Sequence, residues 1–387
     1  MGLFDRLFGH APVPGKDQGT FRTLTAYSPT FTAWNGRLYE SELVRSAIDS
    51  RSRHISKLKV EVIGSAKPAL RRRLNAAPNE FQTWSQFLYR LNTILDMKNT
   101  AFIVPVYGEF GEVTGIYPIL TSRCALVQYN GEPWIRYEFD TGEKASIRVT
   151  EVGIMTKFQY SDDFFGDSNR ALADTMALLN IQRQGVEEAV KNSATYRFMA
   201  RLNNFTNAKD LAEERKRFSN ENLKADSEAG GLLLFPNTYN DIRQIESKPY
   251  TVDADSLKLI QTNVFNYFGV NDKILQNIAT GDEWASFYEG AIEPFALQFS
   301  EVVSRLIFSE RERTAGNMVM ATANRLQYMS NADKLNVSAQ MADRGIMTIN
   351  EIREIWNLAP VEGGDVRILR GEYKGADAQE VSNDETE

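Results

Sequence analysis

Two long stretches of the chain repeat apolar residues at helical spacing, which predicts two long helices. They span residues 168–193 and 253–268, and Gly269 fits as the end of the second. At a rise of about 1.5 Å per residue, the first helix would be about 40 Å long, longer than the usual helix of a compact domain. The apolar positions are Leu172, Met176, Leu179, Val186 and Val190 in the first helix, and Leu257, Ile260, Val264 and Phe268 in the second.

The residues between these helices, 194–251, predict a small α/β module. "DLAEERKRFSNENLKAD" predicts a charged helix, and "GGLLLFPN" and "DIRQIES" predict two short strands. Two long helices that flank such a module are expected to form an antiparallel pair, which buries little apolar surface within one copy. We therefore expect identical copies to pack side by side in a ring.

The preceding residues, 37–167, predict an α+β domain. Helical spacing up to His54 passes into an alternating strand, and "NEFQTWSQFLYRLNTILDMKN" predicts a second amphipathic helix. Four short apolar runs follow, and Asn130-Gly131 between two of them is a strong hairpin signal. We predict an antiparallel sheet with helices packed on it, and we interpret His54 as a packed or half-exposed helix residue.

A polar interruption, residues 270–282, follows the second long helix. The next predicted helix, 283–308, is strongly apolar and is expected to be kinked or broken near Pro294. Asp282 is a credible N-cap of that helix, and this role alone would explain an acidic residue at the position. The alternative is a loop that faces a water-filled channel, where acidic groups repel phosphate. The polar residues concerned are Asn271, Asp272, Asn277, Thr280, Asp282 and Glu283.

The C-terminal part predicts a strand over 318–328 and two short helices over 331–358. Gly345 would end the first helix, and Thr348 with Glu351 forms a capping box for the second. This layout is similar to a DNA-binding helix-turn-helix, but the second helix is mostly apolar, which favours packing. The last 17 residues hold six acids and one lysine, typical of a solvated tail.

Composition favours a globular protein and gives little indication of an enzyme. The 387 residues are 42% hydrophobic, and the net charge of −7 disfavours wrapping DNA on a basic surface. The one cysteine, Cys124, excludes an intrachain disulfide. Neither His10 nor His54 lies in an HExxH arrangement, and no phosphate-binding loop or nucleophile elbow occurs in the sequence. We expect no catalytic residues, no metal, no cofactor and no membrane span.

The order of several motifs resembles the portal proteins of tailed bacteriophages, in the branch typical of long-tailed phages. "MGLFDRLFG" resembles the usual start, and "FLYRLNTILDMKNTAFIVPVYGEFGEVTGIYPI" resembles the family's helix, turn and strands. "FFGDSN" is similar to a Gly-x-Ser-Pro motif, with Asn169 in place of proline. "FNYFGVNDKIL" resembles a phrase that ends in Gly-Val-Pro-Pro, and "RGIMTINEIREIWNLAPVEGGD" is similar to a Thr-x-Asn-Glu-x-Arg segment.

This resemblance implies an α+β portal fold and a ring, usually of twelve subunits, at one capsid vertex. Double-stranded DNA would pass through its centre, non-specifically, during packaging and ejection. The implied parts are an N-terminal arm (1–36), an α+β wing (37–167), a stem of two helices (168–193 and 252–269), a clip (194–251), a tunnel loop (270–282), a tunnel helix and wing return (283–330), a helical crown (331–370) and an acidic tail (371–387).

The resemblance also implies partners and a location. The clip would dock the large subunit of the terminase motor and then the head–tail adaptor, and we assign candidate docking residues to its charged helix: Glu213, Glu214, Arg215 and Arg217. The major capsid protein or a scaffold protein would surround the ring. The protein would occupy the virion, after assembly in the host cytoplasm.

Two other functions remain open from the residues alone. One is a sequence-specific DNA-binding protein that uses residues 331–358, which predicts steeply salt-dependent affinity for duplex DNA. The other is a metal-dependent nuclease that uses scattered acidic residues, which predicts cleavage in the presence of magnesium.

Overall fold

The computed structural model describes two compact units. The described residues are 22–23, 38–193, 197–202, 213, 216, 239–245, 254–323 and 331–369. The first unit comprises Met1–Leu172 and Thr262–Glu387, and the second comprises Ala173–Gln261.

The first unit is α+β, as predicted, and its strands pair antiparallel throughout the described ranges. Its helices are α1 (Glu42–Ile55), α2 (Pro68–Ala76), α3 (Trp84–Lys98), the end of α5 (Ala254–Tyr267), α6 (Asp272–Leu275), α7 (Gly281–Phe287), α8 (Glu293–Ile307), α9 (Glu310–Thr314), α10 (Asn331–Asp343) and α11 (Ile349–Ile355). Its strands are β1 (Arg22–Thr23), β2 (Lys59–Ile63), β3 (Thr100–Tyr107), β4 (Val113–Ile119), β5 (Cys124–Tyr129), β6 (Glu132–Glu138), β7 (Lys144–Arg148), β8 (Gly153–Thr156), β11 (Met318–Thr322), β12 (Arg344–Thr348) and β13 (Arg367–Leu369).

Instead of one sheet, the strands of residues 100–156 form two. One has the order β4-β3-β8 and the other the order β1-β5-β6-β7. Asn130 and Gly131 both have positive φ and connect β5 to β6, so the predicted hairpin is confirmed. Buried side chains of both sheets, including Phe102 and Ile135, form one apolar cluster with Phe165, which explains why the strand sequences are alternately or continuously apolar.

Helices α3 and α8 pack against each other through aromatic side chains. Phe87 of α3 and Phe299 of α8 are fully buried, with ring centroids 6.2 Å apart, and Trp84 lies edge-on to both. The apolar stripe that the sequence predicts for α3 is therefore its buried face. β2 and β11 form a separate two-stranded sheet, and α8 packs against β11.

The predicted break near Pro294 is confirmed, and it is a π-helical turn. Tyr288–Ile292 joins α7 to α8, and Pro294 stands in the first turn of α8. Proline lacks the N–H that would continue the α-helical ladder, so a wider turn before it relieves the clash.

The second unit contains α4 (Ala173–Ser193), the start of α5, and the antiparallel pair β9 (Arg197–Leu202) and β10 (Tyr239–Ile245). Both predicted long helices are confirmed, although α4 begins at Ala173, five residues later than predicted, after a 3₁₀ turn over Asn169–Leu172. Met176, Leu179 and Ile260 of the predicted stripes are buried within one copy, whereas the sequence analysis expected neighbouring copies to cover these stripes. The sequence did not predict β9, and the predicted strand at 230–237 lies outside the described residues, as do the side chains of Val186 and Val190.

The C-terminal prediction of two helices joined by a turn is wrong in one respect. β12 lies between α10 and α11 and pairs with β13, so a strand replaces the turn at Gly345. Helical periodicity does not reveal this pairing because the partner strand lies about twenty residues further along the chain. The predicted strand at 318–328 is confirmed for 318–322, while 324–330, the acidic tail and most of the N-terminal arm lie outside the described residues.

Candidate functional site

The interruption that follows α5 begins at a tight helix end. Gly269 has a φ of +70°, and the Val270 N–H donates to the Phe265 carbonyl at 3.0 Å. The segment is less irregular than predicted, because the four-residue helix α6 lies within it. The side chain of Asn271 caps that helix by accepting a hydrogen bond from the Ile274 N–H at 2.9 Å.

The helix after the interruption starts two residues earlier than predicted, and Asp282 is not its N-cap. Thr280 is the N-cap residue of α7, and the Glu283 carboxylate accepts the Thr280 backbone N–H at 2.9 Å. Glu283 is also paired with Lys273. The hydrogen bond from Lys273, followed by that from Thr280, lowers the pKa of Glu283. Asp282 lies in the first turn and is exposed, so capping does not account for its charge.

The six candidate channel residues therefore occupy one short, well-anchored surface segment. Asn271, Asn277, Thr280 and Asp282 are exposed, whereas Asp272 and Glu283 are half-buried. Asn277 adopts a left-handed backbone (φ +57°), a conformation that asparagine tolerates better than most residues. The segment is held at both ends by helix caps, which fixes its backbone without using the Asp282 carboxylate.

Asn169 connects the C-terminal end of α3 to the C-terminal end of α5, shortly before the interruption begins. Its side-chain amide donates to the Asp96 and Met97 carbonyls, both at 3.0 Å, and so satisfies the C-terminal end of α3. Its Oδ1 atom accepts hydrogen bonds from Asn99 at 2.6 Å and from the Tyr267 hydroxyl at 2.8 Å. The asparagine that replaces the proline of the motif thus ties the end of α5 to α3.

Gly166 lies where two backbone segments approach closely. A Cβ atom at this position would come within 3.0 Å of the carbonyl oxygens of Lys157 and Asn99. Its N–H donates to the Thr100 hydroxyl at 2.8 Å. The position therefore requires glycine for space.

A buried ion cluster supports the π-helical turn. Arg51 donates to Asp96 Oδ1 at 2.7 Å and, through its other terminal nitrogen, to the Ala291 carbonyl at 3.0 Å. Lys157 Nζ lies 2.6 Å from the same Asp96 oxygen. Burial lowers the pKa of Lys157, while the charge of Asp96 opposes that shift. The Asp96 side chain has no solvent exposure, so the two cations compensate its charge.

Sequence reasoning missed this cluster, although one signal was present. Arg51 stands on the apolar face of α1, between Ala47 and Ile55, both fully buried. A cation at such a position needs a buried partner. Periodicity does not identify Asp96 as that partner because the two residues are 45 positions apart.

His54 packs against the first turns of the helix that follows the interruption. Its ring lies 5.4 Å from the Phe287 ring and 6.2 Å from the Trp284 ring, both edge-on, which confirms it as a packed helix residue. Burial, with smaller contributions from the charges of Lys57 and Arg53, lowers its pKa from 6.5 to about 4.

We expect this packing to weaken in mild acid. Between pH 6.5 and about 4 the unfolded chain binds more protons at His54 than the folded chain, so the free energy of unfolding falls as the pH is lowered. After allowance for partial exposure, the loss is about 1–2 kcal/mol. Urea unfolding at pH 7.5 and pH 5 measures it. The His54→Gln variant keeps His10 and should lose less stability over this interval; an equal loss would contradict the assignment.

The structure gives less support to the two other candidate regions, the docking residues and the helix-turn-helix. Glu213 of the predicted docking set is helical and exposed, whereas Glu214, Arg215 and Arg217 lie outside the described residues. In the helix-turn-helix candidate, α11 has seven residues, and its one base, Arg353, donates to the Ala359 carbonyl at 2.8 Å. That guanidinium holds the loop of its own unit, which favours the packing interpretation.

The described residues lack two features, a metal-binding cluster and a membrane-spanning helix. They contain no group of three or more His, Cys, Asp or Glu side chains arranged to hold a metal ion. No helix within those same ranges combines the length and apolar character needed to cross a bilayer.

Comparisons with known proteins point to one family. The sequence profile described as "Phage portal protein" matches residues 42–357. The "Portal protein" of Enterobacteria phage HK97 is 21% identical over 325 residues, which cover 79% of this chain and 73% of that protein. The "Probable portal protein" of Lactococcus phage p2 is 22% identical over 207 residues, 49% of this chain; the chain spans about half (54%) of that relative's length.

A solved structure shares the fold. The chain in "Neck of native GTA particle computed with C12 symmetry" superposes with a TM-score of 0.61 at 14% sequence identity. The alignment covers 89% of this chain and 97% of that one. Both units of the present chain therefore belong to a fold found in that assembly.

Proposed function

This chain belongs to the phage portal protein family, and from that premise we propose that identical copies form a closed ring at one capsid vertex. Double-stranded DNA passes through the ring during packaging and ejection. The observation that carries the proposal is the family match, which extends over 42–357 and so includes residues of both units. The shared fold with a chain from a neck of C12 symmetry supports twelve subunits.

Exposed apolar side chains in the second unit support lateral association. Leu178 and Ile181 of α4 are 54% and 63% exposed, and Leu259 of α5 is 61% exposed. Leu178 and Ile181 are three positions apart and so share one helix face. Burial of these side chains against neighbouring copies would recover the hydrophobic free energy that one copy leaves unused.

The segment 270–283 is the proposed channel lining. Its helix caps fix the backbone, and exposed carboxylate and amide groups face the phosphates without binding them tightly. A ring repeats every such group around the channel. The proposal assigns this role to Asn271, Asp272, Asn277, Thr280, Asp282 and Glu283.

Partners follow from the same premise. The clip, residues 194–251, docks the large terminase subunit during packaging and the head–tail adaptor afterwards. The major capsid protein or a scaffold protein surrounds the ring, which is assembled in the host cytoplasm and remains in the virion. Catalysis belongs to the motor, and the ring itself contributes a passage and docking surfaces.

We expect the Asp282→Lys variant to slow DNA packaging about twofold or more. A lysine would attract the passing phosphates, and one close unit-charge contact in water is worth about 1 kcal/mol. The measurement is the rate and stalling of packaging into capsids assembled with the variant. Asp282 is preferred to Glu283 for this test because Glu283 also caps α7.

The matched control is Asp282→Asn, which removes the charge and keeps the size of the side chain. It should package close to the normal rate, because an amide neither attracts nor strongly repels phosphate. Normal packaging by Asp282→Lys, with unchanged stalling and leakage, would show that the segment does not line the channel.

A further inference from the structure

The turn between β3 and β4 presents a phenylalanine to solvent. Phe110 is 94% exposed. The turn is ordered: the Gly108 N–H donates to the Glu112 carbonyl at 2.7 Å, and the Phe110 N–H donates to the Glu112 side chain at 3.2 Å. A large apolar side chain exposed on a hydrogen-bonded turn is typical of the anchor residue of an interface.

A pocket of about 400 Å³, lined by apolar and polar side chains, lies beside β8, the outer strand of the same sheet. Its volume exceeds that of a phenylalanine side chain. The exposed guanidinium of Arg305 and the carboxylate of Asp163 also line it. Its apolar walls come from Pro133, Val149, Val152, Phe164, Val302 and Leu306.

The turn follows β3 at one end of the sheet, whereas the pocket runs along the outer strand β8, since both Gly153 and Thr156 line it. β3 pairs with β8 up to Ile103 opposite Gly153 and then continues towards the turn. Residues 149–152 of the pocket wall precede Gly153, so they run alongside the last residues of β3. Burial, and after it the charge of Glu151, raises the pKa of Tyr107, which is consistent with that placement. In the strand order β4-β3-β8, the turn belongs to the β4 side and the pocket to the β8 side.

We propose that Phe110 of one copy inserts into the pocket beside β8 of the next copy, with Glu109 facing Arg305. This contact rests on the ring proposed above and identifies the surface by which its subunits meet. A ring needs a head-to-tail contact between two different patches, and the turn and the pocket are two such patches.

Charge supports a second copy as the occupant. Phe110 is flanked by Glu109 and stands two residues before Glu112, and the pocket offers Arg305. Neither Glu109 nor Arg305 forms an ion pair within the ranges that the structure describes. Asp163 would repel the acidic turn, so the turn enters with Glu109 on the Arg305 side.

Cysteine cross-linking tests the contact in the full-length protein. Cys124 is the only cysteine, so Cys124→Ser gives a background without thiols. We expect Phe110→Cys with Leu306→Cys, oxidised with copper phenanthroline, to give a ladder of covalent oligomers on a non-reducing gel. The ladder extends beyond dimers because each copy uses both patches. The control, Phe81→Cys with Leu306→Cys, places a cysteine at another exposed phenylalanine and should give none.

Charge reversal gives an independent readout. Glu109→Arg and Arg305→Glu should each lose most rings in negative-stain micrographs, and the double variant should restore them. Normal rings from both single variants, with no ladder from the cysteine pair, would contradict this contact. That result would not contradict the proposed ring. A wild-type protein that forms no ring would contradict the ring and the contact together.

Discussion

Replacement of Asp96 by alanine is expected to destabilise the first unit by about 3–5 kcal/mol. The variant leaves Arg51 and Lys157 close together in a buried site without their shared carboxylate. Arg51 also holds the Ala291 carbonyl, so the π-helical turn would lose its support at the same time. Urea unfolding followed by circular dichroism measures the change.

A surface ion pair provides the control for this prediction. Glu132→Ala removes the partner of Arg148, whose nitrogen lies 3.5 Å from the carboxylate with both side chains more than half exposed. The expected cost is about 0–1 kcal/mol. If the two variants lose similar stability, the Asp96 cluster does not contribute what its burial implies.

Replacement of Gly166 by alanine is expected to cost about 3 kcal/mol. The new Cβ atom would press on the carbonyl oxygens of Lys157 and Asn99, and backbone atoms yield less easily than the end of a flexible side chain. The strain would reach Asn169 through the neighbouring hydrogen bonds of Asn99. Thermal and urea unfolding of the purified variant measure it.

Gly290→Ala is the matched substitution in open space. Nothing lies within 4 Å of a Cβ atom at that position, so we expect a change of at most about 1 kcal/mol, in the stabilising direction. A Gly166→Ala variant as stable as Gly290→Ala would contradict the close packing of the motif "FFGDSN" against α3.

Local patterns in the sequence predicted the helices well. α4 and α5 appear where apolar residues recur every three or four positions, and the break before Pro294 follows from proline's missing N–H. The N-cap of α7 was wrong because Asp282 and Thr280 are both good cap residues and helix ends shift by one or two positions. The spacing from Thr280 to Glu283 was the better signal, since it is that of a capping box.

Local sequence patterns did not predict contacts between residues that are far apart in the chain. Arg51 and Asp96 meet across α1 and α3, and β12 pairs with β13, because tertiary packing brings them together. The candidate channel segment was found by its polarity, whereas the direction in which its side chains face within an assembly depends on neighbouring copies. The structure explains two positions of the motif "FFGDSN" physically. At Gly166 there is no space for a side chain, and at Asn169 the side-chain amide joins α3 to α5.

One copy leaves Leu178, Ile181 and Leu259 exposed on its long helices, and we propose that identical copies cover these side chains around a central hole. Negative-stain microscopy of the purified full-length protein, with its native mass measured on the same sample, tests this most directly. We expect closed rings with a central hole and a mass near twelve times 43.8 kDa. A compact monomer at high protein concentration, with Leu178, Ile181 and Leu259 protected from solvent labelling, would contradict it.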